Sequence, residues 1–582
     1  MRTLNSLISS VLLAWSLHPA VGTAATPTQR YIVQGVSTGA ARDAVAHVNA
    51  NGWRELAVIN AVAVDLDPEQ TALLQVRPEL RLFADRALTP RSTSSDSMSK
   101  FATAIVDSLS TKQALSSGTG VSLPTFLYET NYPSLVGADL LQKAGTTGKG
   151  VTVAVLDTGL WTGGADNFSS RVLASIDVTS GGSGPVTSDP YGHGTHVTSI
   201  AAGGARNIAG DYLGIAPEAN LVIVRAFDES GDGRYSDVIT GLNWIVTNQS
   251  KYNIRVLNLS FGAPPQSNYW DDPLNQAVMA AWRAGIVVVA SAGNEGPAPM
   301  TIGVPGNVPY VITAGALTDN STPYDGTDDR LASFSSTGPT YEGFVKPELV
   351  APGGHMVASM SYQSHLANLD TASMNKYQMM FTMSGTSQAA AVISGVAALM
   401  IQADPALTPD TVKCRLLMSA RPATTTTGTL AYSIFQQGAG LINAVAAVNS
   451  GASGCANQGL NVAADLAGTE HFGGPANIDK NGNYYVMDMV GSIWGAPLGG
   501  DGFTWTRGYT WSQGYTWSQG YTWSKGYTWS KGYTWSKAAT WSKGYTWSKG
   551  YTWSKGLAWW GTTGVARSAT SPAVTESWVP NE

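Results

Sequence analysis

The sequence predicts an α/β fold: a mostly parallel central sheet with helices on both faces, preceded by a small α+β unit and followed by a β-rich or disordered repeat tail. Three observations lead there. Residues 151–156 (VTVAVL) form an unbroken apolar, β-branched run of the kind a strand covered on both faces requires, and the run delivers Asp157 at its carboxyl end. Residues 285–292 make a second such run, ending just before Asn294. Two stretches rich in small and apolar residues, after His193 and after Ser387, read as helices buried against that sheet.

From the N-terminus, residues 1–25 carry one early Arg2, an apolar stretch at 7–17 and small residues at 22–25, the pattern of a signal peptide too short to span a bilayer. No membrane span is expected elsewhere. Residues 26 to about 90 read as a strand–helix–strand–strand–helix–strand unit: YIVQGV and LAVINAVAVDL as strands, 40–51 and 68–75 as helices, closing on LRLFADRAL. The Ser/Thr-rich stretch from 89 to 120 reads as a flexible linker, so residues 26–122 form one N-terminal block. The main domain is assigned to 123–450, a connecting region to 451–500, a repeat array to 501–556 and a terminal tail to 557–582. Charged residues are 13% of the chain, about half the usual share, and the net charge is −6, so no nucleic-acid partner is expected.

The chemistry is concentrated at three positions. Ser387 lies in MSGTSQAAAVISG, where a Gly/Thr loop meets an apolar helix and is expected to expose a hydroxyl at the helix N-terminus. A serine is a weak nucleophile until a neutral imidazole takes its proton, and the imidazole needs a buried carboxylate to hold its tautomer. His193, between Gly192 and Gly194 in YGHGTHVTSIAAG, is the candidate base, with glycines expected to leave it accessible; Asp157 is the candidate carboxylate. Singly, an Asp ending a strand reads as a turn residue and a Ser in a Gly/Thr loop as a cap. In the order Asp, His, Ser, with TGKGVTVAVLDTGL, GHGTHV, LGIAP, LNLSFG, ASAGNEG, FSSTGP, KPELVAPG, GTS and GAGLINAVAAV spread over about 125–450, the chain resembles the subtilisin-like serine proteases.

That resemblance implies further roles. Asn294 matches the side-chain oxyanion donor, acting with the backbone N–H of Ser387. Ser260, Phe261 and Gly262 match the strand that pairs with an extended substrate, and the stretch from Gly231 through Gly233 to Tyr235 matches the opposite wall. Gly303 matches the base of the pocket for the residue before the cut bond, which points to an uncharged side chain there; Glu295 could instead draw a basic one. The block at 26–122 resembles the inhibitory propeptide of the family. No cofactor is required for the chemistry. Structural calcium is compatible with the family, yet no site carries over, because 207–211 (NIAGD) is poor in clustered oxygen side chains. Two departures from the family pattern stand out: Gln388 where Met usually follows the nucleophile, and Ala391 where Pro is usual. A thioether beside a reactive serine is an oxidation liability, so Gln388 implies tolerance to peroxide, with Met383 nearby as the remaining weak point. His196, one helical turn after His193, invites a two-histidine metal reading; with no Glu at metalloprotease spacing it is read as a packed helix residue.

Cys414 and Cys455, the chain's two cysteines, are expected to pair in an exported protein, with two free buried thiols as the alternative. From 502 to 556 the dipeptide Thr-Trp recurs nine times at a six-residue period, mostly as GYTWSK or GYTWSQ. In an extended chain this period places Tyr, Trp and Lys on one face and Gly, Thr and Ser on the other. The exposed rings and lysines suit a cell-envelope polymer or polysaccharide; packing on the main domain or on one another is the alternative. The turn cluster at 477–485 is too sparse for a calcium loop. The sequence thus describes a secreted, self-processed serine endopeptidase, retained at the cell surface if its tail binds there, acting on protein or peptide substrates and on its own propeptide. The rivals are a narrow-specificity processing protease and an adhesin built on a protease-like scaffold.

Overall fold

Residues 27–90 and 131–497 are described by a computed structural model, apart from 180–183, 187, 320–327, 377–378, 426–429, 458, 475, 479–483 and 488–493. The signal segment, most of the Ser/Thr-rich linker, the repeat array and the terminal tail lie outside the described residues.

The N-terminal unit follows the order read from the sequence: β1 (Gln29–Gln34), α1 (Thr38–His47), β2 (Arg54–Leu56), β3 (Ala61–Leu66), α2 (Pro68–Gln75) and β4 (Arg81–Ala84). The strands form an antiparallel sheet in the order β2-β3-β1-β4. Local chemistry explains the helix starts. Ser37 accepts the Ala40 N–H at 3.1 Å, and Asp67 and Gln70 form a reciprocal capping box with Pro68 in the first turn.

The two strands read between the helices part at Asn60 of LAVINAVAVDL, whose φ of 57° lies in the left-handed region Asn tolerates. One segment differs from its reading: LRLFADRAL breaks after Ala84. Asp85 there accepts the N–H (2.9 Å) and hydroxyl (2.7 Å) of Ser236 in the first turn of α4 (Tyr235–Tyr252), a carboxylate at a helix N-terminus. Held this way, the chain leaves its own sheet and begins β5 (Ala87–Pro90), which pairs elsewhere.

The central sheet is built from β6 (Thr152–Asp157), β7 (Val172–Asp177), β8 (Asn220–Arg225), β10 (Ile254–Leu259), β12 (Val287–Ser291), β13 (Ile312–Thr318), β14 (Arg330–Leu331) and β15 (Leu349–Pro352). Its order is β14-β13-β12-β10-β6-β8-β7, with β15 also beside β13, and every pairing is parallel except β13 with β14. Every residue of β6 and β12 is buried, as the apolar runs require. Helices α3 (His193–Ala202) and α6 (Thr386–Ala403) pack together against this sheet, and α4 packs with α5 (Pro273–Arg283) on the other side. By length and composition α6 could cross a membrane, but 89% of it is buried within the fold.

The connecting region is tied to this domain by a disulfide and by a polar cluster, among other contacts. Cys414 and Cys455 are bonded, with Cα atoms 5.2 Å apart; closing a loop of this length contributes about 3 to 4 kcal/mol. The second tie is polar. Asp465 accepts the hydroxyls of Tyr269 (2.6 Å) and Tyr310 (3.0 Å) through one oxygen and pairs with His471 (2.7 Å) through the other, while His471 stacks on Trp270. Glu342 completes the cluster by accepting the Tyr269 N–H at 2.7 Å; its second oxygen is shut from solvent without a hydrogen-bond partner among the described residues.

Burial, with Asp465 adding repulsion, pushes the Glu342 carboxyl up to about 7. An acid whose folded-state pKa is raised contributes most below its unfolded value, and that contribution is lost as pH climbs from about 4.5 to about 7. Glu342→Gln should therefore gain on the wild type across this window, by up to about 3 kcal/mol above pH 7, and show little advantage near pH 4.5. Thermal unfolding of both proteins from pH 4.5 to 8 checks this; an advantage independent of pH would contradict it.

Candidate active site

Three side chains arrive at one edge of the parallel sheet, outside the carboxyl ends of its strands, from positions far apart in sequence. Asp157 ends β6, His193 opens α3, and Ser387 is the second residue of α6. His193 Nδ1 lies 2.7 Å from Asp157 Oδ1, and both residues are almost wholly buried. The contact places a proton on Nδ1; in the neutral ring the lone pair then sits on Nε2, the form a general base needs. Nε2 is itself buried without a hydrogen-bond partner among the described residues.

Accessibility departs from the expectation. Ser387 is fully buried, not exposed. It is locked to Ser260 in a reciprocal pair: its Oγ donates to the Ser260 carbonyl at 3.2 Å, and Ser260 Oγ donates to the Ser387 carbonyl at 3.1 Å. His193 is 1% exposed, and a short helix, His365–Leu369, packs on the loop before it, donating backbone N–H groups to the carbonyls of Pro190 and Tyr191. The flanking glycines serve packing, not access. Gly192 has φ of 108°, and a Cβ there would meet Ser364 Oγ at 2.8 Å; a Cβ on Gly194 would collide with the Gly159 carbonyl.

Asn294 follows β12 by three residues. Its Oδ1 accepts both the N–H (3.0 Å) and the hydroxyl (2.9 Å) of Thr386. A backbone N–H can be met only by the amide oxygen, so the Asn294 side chain is fixed with its NH₂ as the end available to donate. This orients a donor at the N-terminus of the helix that carries Ser387.

The cleft walls are equally defined. Ser260 follows β10, and Phe261–Gly262 form the short strand β11. Gly233–Arg234 form β9, and Gly231, at φ of 81°, packs against the Tyr191 ring so closely that a Cβ would lie 2.6 Å from it. Between the walls lies β5, antiparallel to both, in a three-stranded sheet of order β11-β5-β9. Gly303 donates to the Ala292 carbonyl at 3.1 Å, and Val304 bridges Ala263, so this loop closes the gap between the Asn294 turn and β11. Glu295 is exposed.

Sequence reasoning missed one residue. Buried Asp189 accepts the Thr158 hydroxyl (2.8 Å) and the Gly192 N–H (2.9 Å) through Oδ1, and the N–H and hydroxyl of Thr195 (both 2.7 Å) through Oδ2. Thr158 in turn accepts the Gly194 N–H. Asp189 thereby clasps the residue after Asp157 to the first turn of the helix bearing His193. The signal was present as an Asp shortly before a helix start, the usual position of a cap.

His196 is a packed residue of α3, bonded on both ring nitrogens. Its Nε2 lies 3.0 and 3.2 Å from the carbonyls of Phe381 and Met356, and Nδ1 faces Gln388 Nε2 at 3.4 Å. Burial holds its pKa down to about 3, a neutral imidazole. Gln388 is buried beside it. Among the described residues no group of three or more His, Cys, Asp or Glu side chains is placed to hold a metal. The 207–211 turn does not fit calcium: Asn207 Oδ1 accepts the Asp211 N–H at 2.9 Å, and Asp211 pairs with Lys143.

Residues 148–440 match the model of the Subtilase family. The chain is 42% identical over 276 residues to serine protease AprX of Bacillus subtilis, covering 46% of this chain and 60% of that protein, so it spans less than two thirds of that relative. It is 33% identical over 315 residues to subtilisin DY of Bacillus licheniformis, covering 54% of this chain and 96% of that one. Fervidolysin from Fervidobacterium pennivorans shares the fold, with a TM-score of 0.53 at 20% identity over 73% of this chain and 61% of that one.

Two outcomes are expected of this geometry. Asn294→Ala should lower kcat by about 10² to 10³ with little change in KM, measured with a chromogenic peptide. Gln388→Met should shorten the half-life of activity in dilute peroxide several-fold; equal half-lives would show that another methionine, Met383 first, controls inactivation.

Proposed function

The chain belongs to the subtilase family of serine endopeptidases, and on that premise we propose that it is a secreted, self-processed enzyme in which Ser387, His193 and Asp157 carry out acyl transfer on protein or peptide substrates. In this reading Ser387 Oγ turns from the Ser260 carbonyl toward His193 Nε2, which takes its proton as the oxygen attacks the substrate carbonyl. Asp157 stabilises the imidazolium through the Nδ1–H. The oxyanion is met by the Asn294 amide and the backbone N–H of Ser387. His193 then returns the proton to the departing amine, leaving an acyl ester on Ser387. Water, deprotonated by the same imidazole, releases the acid and restores the enzyme. No cofactor enters any step.

The observation that carries this reading is the 2.7 Å bond between Asp157 and His193 with a buried, unpartnered Nε2 on the far side of the ring. A buried nitrogen without a partner among the described residues carries a desolvation cost, and a catalytic role is one setting in which such a group is retained. The N-terminal unit is read as the propeptide: its strand β5 lies where a substrate would, and ion pairs of Arg54 with Asp237 (2.8 Å) and Arg81 with Asp271 (2.7 Å) bind it to α4 and to the approach to α5. Residues 1–25 direct export, and the Trp-rich array at 501–556 retains the enzyme on an envelope polymer or polysaccharide.

The test is to express residues 26–582 as wild type and as Ser387→Ala, following intact mass and digestion of an unstructured protein. The expected result is that wild type alone sheds an N-terminal fragment and digests substrate. Equal behaviour of the two proteins would remove Ser387 as nucleophile. Deleting 501–560 should lower retention on insoluble envelope polymer without loss of peptide cleavage; unchanged retention would remove the targeting role.

A further inference from the structure

We propose that the C-terminal segment 459–474 and the N-terminal unit are energetically coupled through one turn of the main domain, residues 268–276. Docking of the C-terminal segment tightens the hold of the N-terminal unit over the cleft, and its undocking loosens that hold. The consequence for inhibition rests on the propeptide reading above; the coupling rests on the contacts alone.

The turn is small and internally bonded. The Asn268 carbonyl accepts the N–H groups of Asp271 (3.0 Å) and Asp272 (3.2 Å), and Asp272 Oδ1 then caps α5 by accepting from Leu274 (2.9 Å) and Asn275 (3.2 Å). One side of it faces the C-terminal segment. Tyr269 donates its hydroxyl to Asp465 and accepts the Phe472 N–H at 3.3 Å, while Trp270 stacks on His471 with ring centroids 4.7 Å apart. The other side faces the N-terminal unit. Asp271 pairs with Arg81, Asp272 Oδ2 lies 3.7 Å from Arg86 Nη1, and the Tyr235 hydroxyl accepts from Arg86 and donates to Asp272. Residues 269 and 270 thus serve one partner, and 271 and 272 the other.

Gln276 joins the two sides directly. Its Nε2 donates to the Trp270 carbonyl at 2.8 Å, which leaves Oε1 to accept from Gln34 Nε2 of β1 at 2.6 Å. One amide therefore bonds both the backbone of the residue that stacks on the C-terminal segment and a side chain of the N-terminal sheet. Helix α5 repeats the arrangement, since the short helix Val462–Leu466 and the turn Ala57–Ile59 both pack against it. An element ordered by one partner has less freedom left for the second to remove, so the two bind more tightly together than apart. The effect must run equally in both directions.

The experiment is amide hydrogen exchange on the full 26–582 chain carrying Ser387→Ala. This chain stays joined whether or not wild type processes itself, so the coupling and the self-processing reading fail separately. His471→Ala, on the C-terminal side, should speed exchange of the β1 and β3 amides by about fivefold or more while those of β6 and β12 are unchanged. Tyr269→Phe, which removes one hydroxyl and leaves the ring, is the second variant and should act in the same direction. Gln34→Ala, on the N-terminal side, should in return speed exchange in the Val462–Leu466 helix. Placing His471→Ala in a Gln276→Ala background should at least halve its effect on β1 and β3. The inference is overturned if His471→Ala and Tyr269→Phe free the C-terminal segment but leave β1 and β3 as they were, if β6 and β12 speed up equally, or if Gln276→Ala leaves the transmitted effect whole.

Discussion

The bond between Asp157 and His193 is the constraint on which the arrangement of the site depends. An imidazole is useful as a base only if its proton sits on the nitrogen away from the nucleophile, and the Asp157 oxygen, 2.7 Å from Nδ1, holds it there. For that bond to form, the end of β6 and the start of α3 must be held within a fraction of an ångström, and the second carboxylate, Asp189, supplies the clasp by bonding to both sides of the junction. The absence of a side chain at Gly194 lets the helix approach the Gly159 carbonyl closely enough for this to happen. Backbone, helix start and tautomer are thus set by one small network.

The central sheet and the identities at its edge were legible because they depend on local composition. Unbroken apolar runs at 151–156 and 285–292 gave β6 and β12, and the residues delivered at their ends are where the reading put them. The α1 and α2 starts were legible for the same reason, each having a cap in its own sequence. What could not be read was anything settled between distant segments. The break at Asp85 depends on a helix that begins about 150 residues later, and nothing local in LRLFADRAL announces it. Burial of Ser387 and His193 was missed because the segments around them, among them Ser260 and the helix on the loop before His193, come from other parts of the chain. Gln388 looked like a bare departure until its contact with His196 was visible.

Polar burial outside the active site follows a different logic. Lys346 and Lys413 share the carboxylate of Glu348 at 2.7 and 2.8 Å, and Lys413 also donates to the carbonyls of Pro309, Tyr310 and Val311. Two buried ammonium groups and one carboxylate leave an excess positive charge, and burial together with the neighbouring Lys413 brings Lys346 down to about 7. Such a cluster adds little net stability compared with apolar packing of the same volume, but it tolerates few alternative arrangements. It joins β15 and its approach to α7 (Pro409–Ser419), the helix that holds the disulfide.

Strand β5 occupies the cleft as part of the same chain as the walls that grip it. On the propeptide reading, an intact connection makes the strand a competitor of substrate at the effective concentration of a tethered segment, which reaches the millimolar range for short connections. Severing the chain after β5 would leave every contact in place but change the law that governs occupancy. Release would then follow dilution, and two molecules of the same cut protein would differ in activity according to how far each had diffused from its neighbours.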